Sequence, residues 1–131
     1  MVIDTSVLIA ILLDEPEQDA FLRAIDAAPS RLVSAMSKLE AGIVMVARKG
    51  RAAGGEVDLL MTKLAATVVP FDEHQADIAR DAFMRFGKGR HPAGLNFGDC
   101  AAYALAMAEA EPLLFKGTDF GATDVQVASA V

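Results

Sequence analysis

The chain is poor in cysteine, in proline and glycine, in basic charge and in long apolar runs, and each shortage removes a class of protein. Its one cysteine, Cys100, cannot close an internal disulfide or supply a cysteine-based structural zinc site, which points to a reducing, cytoplasmic setting. With 5 Pro, 10 Gly and 53% hydrophobic residues the sequence is neither disordered nor fibrous. The longest apolar run, Val7–Leu13, is far short of the ~20 residues that span a bilayer, so no membrane partner is expected. Asp4 stands before that run where a secretory signal would carry a basic segment. Lys and Arg number 12 against 18 Asp and Glu, a net charge of −6, which excludes a general nucleic-acid coat.

What is present is a 131-residue chain that reads as one domain over residues 1–131. Met1–Asp4 reads as a short buried strand, with Thr5 or Ser6 capping an apolar helix over Val7–Leu13. Glu15-Pro16 opens a second helix in which Ala20, Phe21, Ala24 and Ile25 share a face, and Pro29-Ser30 breaks it before a strand at Arg31–Val33. Ser34 caps a helix over Ala35–Lys49, with Leu39, Ile43 and Val46 along one stripe and Glu40 beside it. A fourth helix carries Val57, Leu60, Met61 and Leu64; Thr67–Phe71 reads as a strand, and Asp72 caps a helix over Glu73–Phe86. Residues 87–94 form a basic, Gly-rich loop, followed by an Ala-rich helix over Phe97–Glu109 and strands at Leu113–Phe115 and Val125–Val127. Alternating strands and helices imply an α/β fold, a mostly parallel sheet flanked by helices on both faces, with ligands at the carboxyl ends of the strands.

Four acids stand where burial should forbid them: Asp4 ending the first strand, Glu40 beside an apolar stripe, Asp99 opening a helix and Asp119 after Leu113–Phe115. Taken singly, Asp4 and Asp99 read as helix-start acids, each worth roughly 0.3–1 kcal/mol with the macrodipole. Together on one sheet edge they would repel unless protons or cations intervened, and hard oxygen ligands suit Mg²⁺ or Mn²⁺. Such a site polarises a phosphoryl group and activates water for in-line displacement. His74 and His91 lack metal-ligand spacing and read as surface or loop residues, Cys100 as core filler, and Met36, Met45 and Met61 as core. Arg85, Lys88 and Arg90 form a local basic edge beside the acidic field, the part of the surface that would steer an anionic substrate such as the RNA that the family resemblance implies.

The blocks Val2-Ile3-Asp4-Thr5-Ser6, Ser37-Lys38-Leu39-Glu40, Gly94-Leu95-Asn96-Phe97-Gly98-Asp99-Cys100 and Leu114-Phe115-Lys116-Gly117-Thr118-Asp119-Phe120, with Thr123-Asp124, resemble the VapC-type toxins of the PIN-domain ribonuclease family. Lys88-Gly89-Arg90-His91-Pro92 is similar to a loop of one VapC branch. The resemblance implies the toxin of a type II toxin–antitoxin system: a Mg²⁺-dependent endoribonuclease acting on structured RNA such as tRNA and neutralised by a VapB-type antitoxin. It implies a catalytic quartet of Asp4, Glu40, Asp99 and Asp119, with Asp4 and Asp99 the direct metal ligands. Thr5, Ser6 and Asn96 match positions that orient the acids or a bound water, Thr118 stands where many relatives carry Asn, and Asp124 reads as a structural cap. A homodimer is implied as well. The alternatives are a receiver-like Mg²⁺-binding signalling domain, suggested by Lys116 after an apolar strand, and a catalytically inactive PIN-like scaffold. The apolar helices and the stripe Leu39, Ile43 and Val46 also suggest a groove for a partner's amphipathic segment, beside an acidic pocket that an inserted Arg would fit.

Overall fold

Neighbouring residues of each strand point to opposite sides of the sheet, and in this chain both sides are apolar. The computed structural model describes residues 1–130. Val2–Ile3 (β1), Leu32–Ser34 (β2), Thr67–Val69 (β3) and Leu113–Leu114 (β4) make one parallel sheet in the order β3-β2-β1-β4. Ile3, Val33 and Leu114 face a core built with Thr5–Leu12 (α1), Gln18–Ala27 (α2), Ala35–Lys49 (α3) and Gly54–Lys63 (α4). Val2 and Leu113 face the other core, built with Glu73–Phe86 (α5) and Phe97–Glu109 (α6). The helices flank both faces, as the alternation of strands and helices predicts.

The order of strands fixes where a site can form. β1, β2 and β3 step across the sheet in one direction, and the chain then returns past β1 to β4. Right-handed crossovers place the helices before and after that reversal on opposite faces, and the crevice at the carboxyl ends opens between β1 and β4. Asp4 leaves β1 and the segment toward Asp119 leaves β4 on the two sides of that crevice.

Several sequence expectations are corrected. Val125–Val127 is not a strand but a single parallel bridge, Leu113 to Val127, while Thr67–Phe71 shortens to Thr67–Val69 because Pro70 has no N–H for the ladder. Met36 is only half-buried, whereas Met45 and Met61 are core. In α3 the core face is Ser37, Ala41 and Met45; Leu39, Ile43 and Val46 face outward, with Ile43 60% exposed. No helix among the described residues is long and apolar enough to cross a membrane.

Candidate active site

Asp4 ends a strand and begins a helix. Its N–H still belongs to the sheet, donating to Leu114 O at 3.0 Å, while its Oδ2 accepts the Ser6 N–H (3.0 Å) and the Ser6 hydroxyl (2.6 Å). Asp4 is therefore the cap of α1, and Thr5 and Ser6, expected as caps, lie in its first turn: a carboxylate outcompetes a hydroxyl for two converging donors. Ser6 Oγ also accepts the Lys116 N–H (2.9 Å), so one side chain joins the exits of β1 and β4. The Thr5 hydroxyl donates to Ser37 O (3.4 Å), tying α1 to α3, the helix that carries Glu40.

α3 and α6 bring in the second and third acids. The half-buried Glu40 lies against the first turn of α6, where a Cβ on Gly98 would stand 2.6 Å from Glu40 Oε1. Only a glycine permits that approach. Asn96 and Asp99 close a capping box: Asp99 N–H donates to Asn96 Oδ1 (2.9 Å) and Asn96 N–H to Asp99 Oδ2 (3.0 Å). The fourth acid, Asp119, opens a 3-10 turn over Asp119–Ala122 and is exposed. Thr118 precedes that turn without a side-chain capping bond.

The acids act on one another through their charges. Burial raises the Asp4 carboxyl from its ordinary 3.8 to about 6, against the lowering by the two Ser6 hydrogen bonds, and Asp99 and Glu40 push it up further. Asp99 is raised as well, by burial and then by Asp119 and Glu40, with the Asn96 backbone opposing. Among the described residues no three Asp, Glu, His or Cys side chains close on a common point at metal-cage spacing. The acids share a field, not a centre. Their chemistry still fits a hard divalent cation: every donor is a carboxylate, and Asp4 and Asp99 each spend one oxygen on hydrogen bonds and keep Oδ1 free of them.

Other candidate groups are engaged elsewhere. Burial pushes the Cys100 thiol up to about 11, the state of a core filler and not of a nucleophile. His91 Nδ1 accepts the Ala93 N–H (3.0 Å) and its ring meets Phe86 edge-on, holding the basic loop. Lys116 is bound by Glu15 (2.7 Å) and Glu17 (3.3 Å). Asp124, expected as a structural cap, caps no helix among the described residues and instead accepts the Tyr103 hydroxyl (2.6 Å) and an Arg85 N–H (3.0 Å). Arg85 is thereby committed to Asp124 and Asp81 and lies over Phe86, while Arg90 rests over Phe83 and Lys88 is exposed without an ion pair among the described residues. Sequence reasoning passed over Gly98 and Tyr103; the signal for each was position, one beside Asp99 and the other one helical turn after it.

A parallel four-stranded α/β domain with carboxylates gathered at its strand-reversal crevice defines a class, and the PIN domain family model matches residues 1–126. Ribonuclease VapC30 of Mycobacterium tuberculosis is 50% identical over 125 residues, 95% of this chain and 95% of its own. The crystal structure of Mycobacterium tuberculosis VapC20, described as a sarcin-ricin loop cleaving toxin, superposes with a TM-score of 0.77 at 15% identity over 95% of both chains. VapBC2 from Rickettsia felis, bound to a promoter DNA fragment, gives a TM-score of 0.75 at 12% identity, over 96% of this chain and 94% of that one. The chain belongs to the PIN domain family and, within it, to the VapC ribonucleases. The receiver-like alternative is set aside.

Proposed function

We propose that the protein is the toxin of a type II toxin–antitoxin pair, a Mg²⁺- or Mn²⁺-dependent endoribonuclease that hydrolyses phosphodiester bonds in structured RNA such as tRNA. One observation carries this reading: Asp4, 4% exposed and with only Ser6 donors around its carboxylate, is pressed by the charges of Asp99 and Glu40. A buried acid among acids destabilises a fold unless a cation joins it. Asp4 and Asp99 would hold that cation through their free oxygens, with Glu40 and Asp119 completing the negative field. When bound, a divalent cation neutralises phosphoryl charge and lowers the pKa of water. The chain's own work is to keep those oxygens in place: Ser6 fixes Asp4 through two bonds, Asn96 fixes Asp99 through the capping box, and Thr5 keeps α1 against α3.

With Arg85 committed to Asp124, steering of RNA falls to Lys88 and Arg90. A VapB-type antitoxin is the partner. Support for it is a groove of about 560 Å³ between α3 and α4, lined by Leu39, Gly42, Ile43, Val46 and Val57, with the Lys38–Asp58 ion pair (3.0 Å) beside it. An amphipathic helix fits such a surface, and an Arg reaching past Leu39 toward Glu40 would meet the acids. A homodimer is supported by a second apolar groove, about 420 Å³, where Phe71, Phe83 and the 78% exposed Phe97 stand together.

The test is incubation of the purified protein with total RNA. Discrete fragments are expected with Mg²⁺ or Mn²⁺, none with excess chelator and none for Asp4→Asn. Cleavage undiminished in chelator would refute the metal-dependent reading.

A further inference from the structure

Asp119 has no side-chain hydrogen bond among the described residues, yet its charge reaches Asp99. Its place is set by the backbone around it: before it, Lys116 is tied by its N–H to Ser6 Oγ (2.9 Å), and the two residues between, Gly117 at φ +99 and Thr118, are exposed. On the other side the chain is pinned. Phe120 is buried and its ring meets Phe115 at 5.1 Å. Thr123 closes the turn, its hydroxyl donating to Phe120 O (2.7 Å) and accepting the Val125 N–H (3.2 Å). Asp124 then accepts the Tyr103 hydroxyl at 2.6 Å and Arg85 at 3.0 Å.

Tyr103 stands four residues after Asp99 on α6, about 6 Å along the axis and on the same face. It is 1% exposed, so its ring does not move independently of the helix. The helix that carries the third acid thus also grips the segment that carries the fourth. The geometry points to Tyr103, Asp124 and Arg85 as a clamp of positioning residues that fixes where Asp119 stands relative to Asp99. The clamp rests on the reading of Asp119 as a site acid, and it assigns the basic Arg85 to the protein's own frame and not to RNA. The hydroxyl is a strong tether: burial and the bond to Asp124 push Tyr103 up to about 12, and Tyr103 followed by Arg85 holds Asp124 below the usual carboxylate range.

The experiment is a double-mutant cycle on full-length protein, read by RNA cleavage and by Mg²⁺ affinity from calorimetry. Tyr103→Phe and Asp124→Ala are expected to lower kcat and weaken Mg²⁺ binding about tenfold each, with KM for RNA within about twofold. Asp124→Asn, which keeps an oxygen for Tyr103, recovers most of the loss and serves where Asp124→Ala folds poorly. In an Asp119→Asn background the same changes cost less than about twofold, because there is no acid left to place. Tyr103 is the only tyrosine in a chain without tryptophan, so the intensity of its emission, quenched by a hydrogen-bonded carboxylate, reports the clamp directly, and saturating Mg²⁺ changes that intensity in the wild type. Wild-type kcat and Mg²⁺ affinity in Asp124→Ala, or losses that stay fully additive with Asp119→Asn, overturn the clamp. If Asp119→Asn alone keeps wild-type kcat and Mg²⁺ affinity, the site reading of Asp119 fails and takes the clamp with it.

Discussion

Gly98 and Glu40 touch: a Cβ at position 98 would stand 2.6 Å from Oε1 of Glu40 and closer still to its other oxygen. α3 and α6 therefore meet at the acids through a residue with no side chain. Gly98→Ala lies in the first turn of a helix, where alanine is favoured over glycine by up to about 1 kcal/mol. The flexible carboxylate yields, so the melting temperature is expected to hold or rise while RNA cleavage falls at least about tenfold. A variant that cleaves at the wild-type rate would show that the position of Glu40 does not matter.

The Asp4 carboxyl titrates at about 6 in the fold against 3.8 ordinarily. The folded state thus binds this proton more tightly than the unfolded state. Stability from this group is full below pH 4, falls as pH rises through 6 and is flat above, a change on the order of 3 kcal/mol. Asp99 shifts in the same direction, and Asp124, held low, acts only below about pH 4. Denaturant unfolding in chelator should give a more stable protein at pH 5 than at pH 8, and Mg²⁺ should restore stability at pH 8. Cleavage should rise through pH 6. Greater metal-free stability at pH 8 than at pH 5 contradicts the burial of Asp4.

Ile43 is exposed at the groove between α3 and α4 and supports no core contact. Ile43→Asp should leave the fold and RNA cleavage within about twofold of wild type and weaken inhibition by an antitoxin peptide at least about tenfold, because a buried apolar anchor becomes a desolvated charge. Replacing the peptide's Arg by Ala, or adding excess Mg²⁺, should weaken inhibition as well. Inhibition insensitive to all three changes places the partner elsewhere.

Lys88→Ala with Arg90→Ala should weaken RNA binding and reduce the slope of log K against log salt by about one for each phosphate no longer neutralised, leaving Mg²⁺ affinity unchanged. Arg85→Ala, by contrast, removes an ion pair to Asp124 and should leave the salt slope unchanged. Equal slopes for the double variant and the wild type mark the loop as a solvated connector.

The sheet, its two covered faces and the places of the four acids were legible because hydrophobic period and helix caps are local signals. Asp4 caps α1 and Asp99 closes the capping box of α6 from its third position, so both stand at helix starts that the chain order announces, although the cap of α1 was expected at Thr5 or Ser6. What was not legible depends on neighbours far apart in sequence. The stripe Leu39, Ile43 and Val46 reads equally as core or as a partner groove, and only the fold shows that α3 buries Ser37, Ala41 and Met45 and turns the stripe outward. Arg85 reads as a nucleic-acid contact, and only the fold brings Asp124, 39 residues later, within hydrogen-bond distance of it. The role of Gly98 exists only once α3 and α6 meet.

A Mn²⁺ titration of the melting temperature tests most directly whether Asp4 and Asp99, in the field of Glu40 and Asp119, bind a divalent cation. At about 100 times its dissociation constant a ligand stabilises by about 2.7 kcal/mol, a rise of several degrees for a chain of this length. The wild type should show that rise; Asp99→Asn should melt at or above the metal-free wild type and stay flat as Mn²⁺ is added. A wild-type melting temperature indifferent to millimolar Mn²⁺, or an equal rise in Asp99→Asn, contradicts the account.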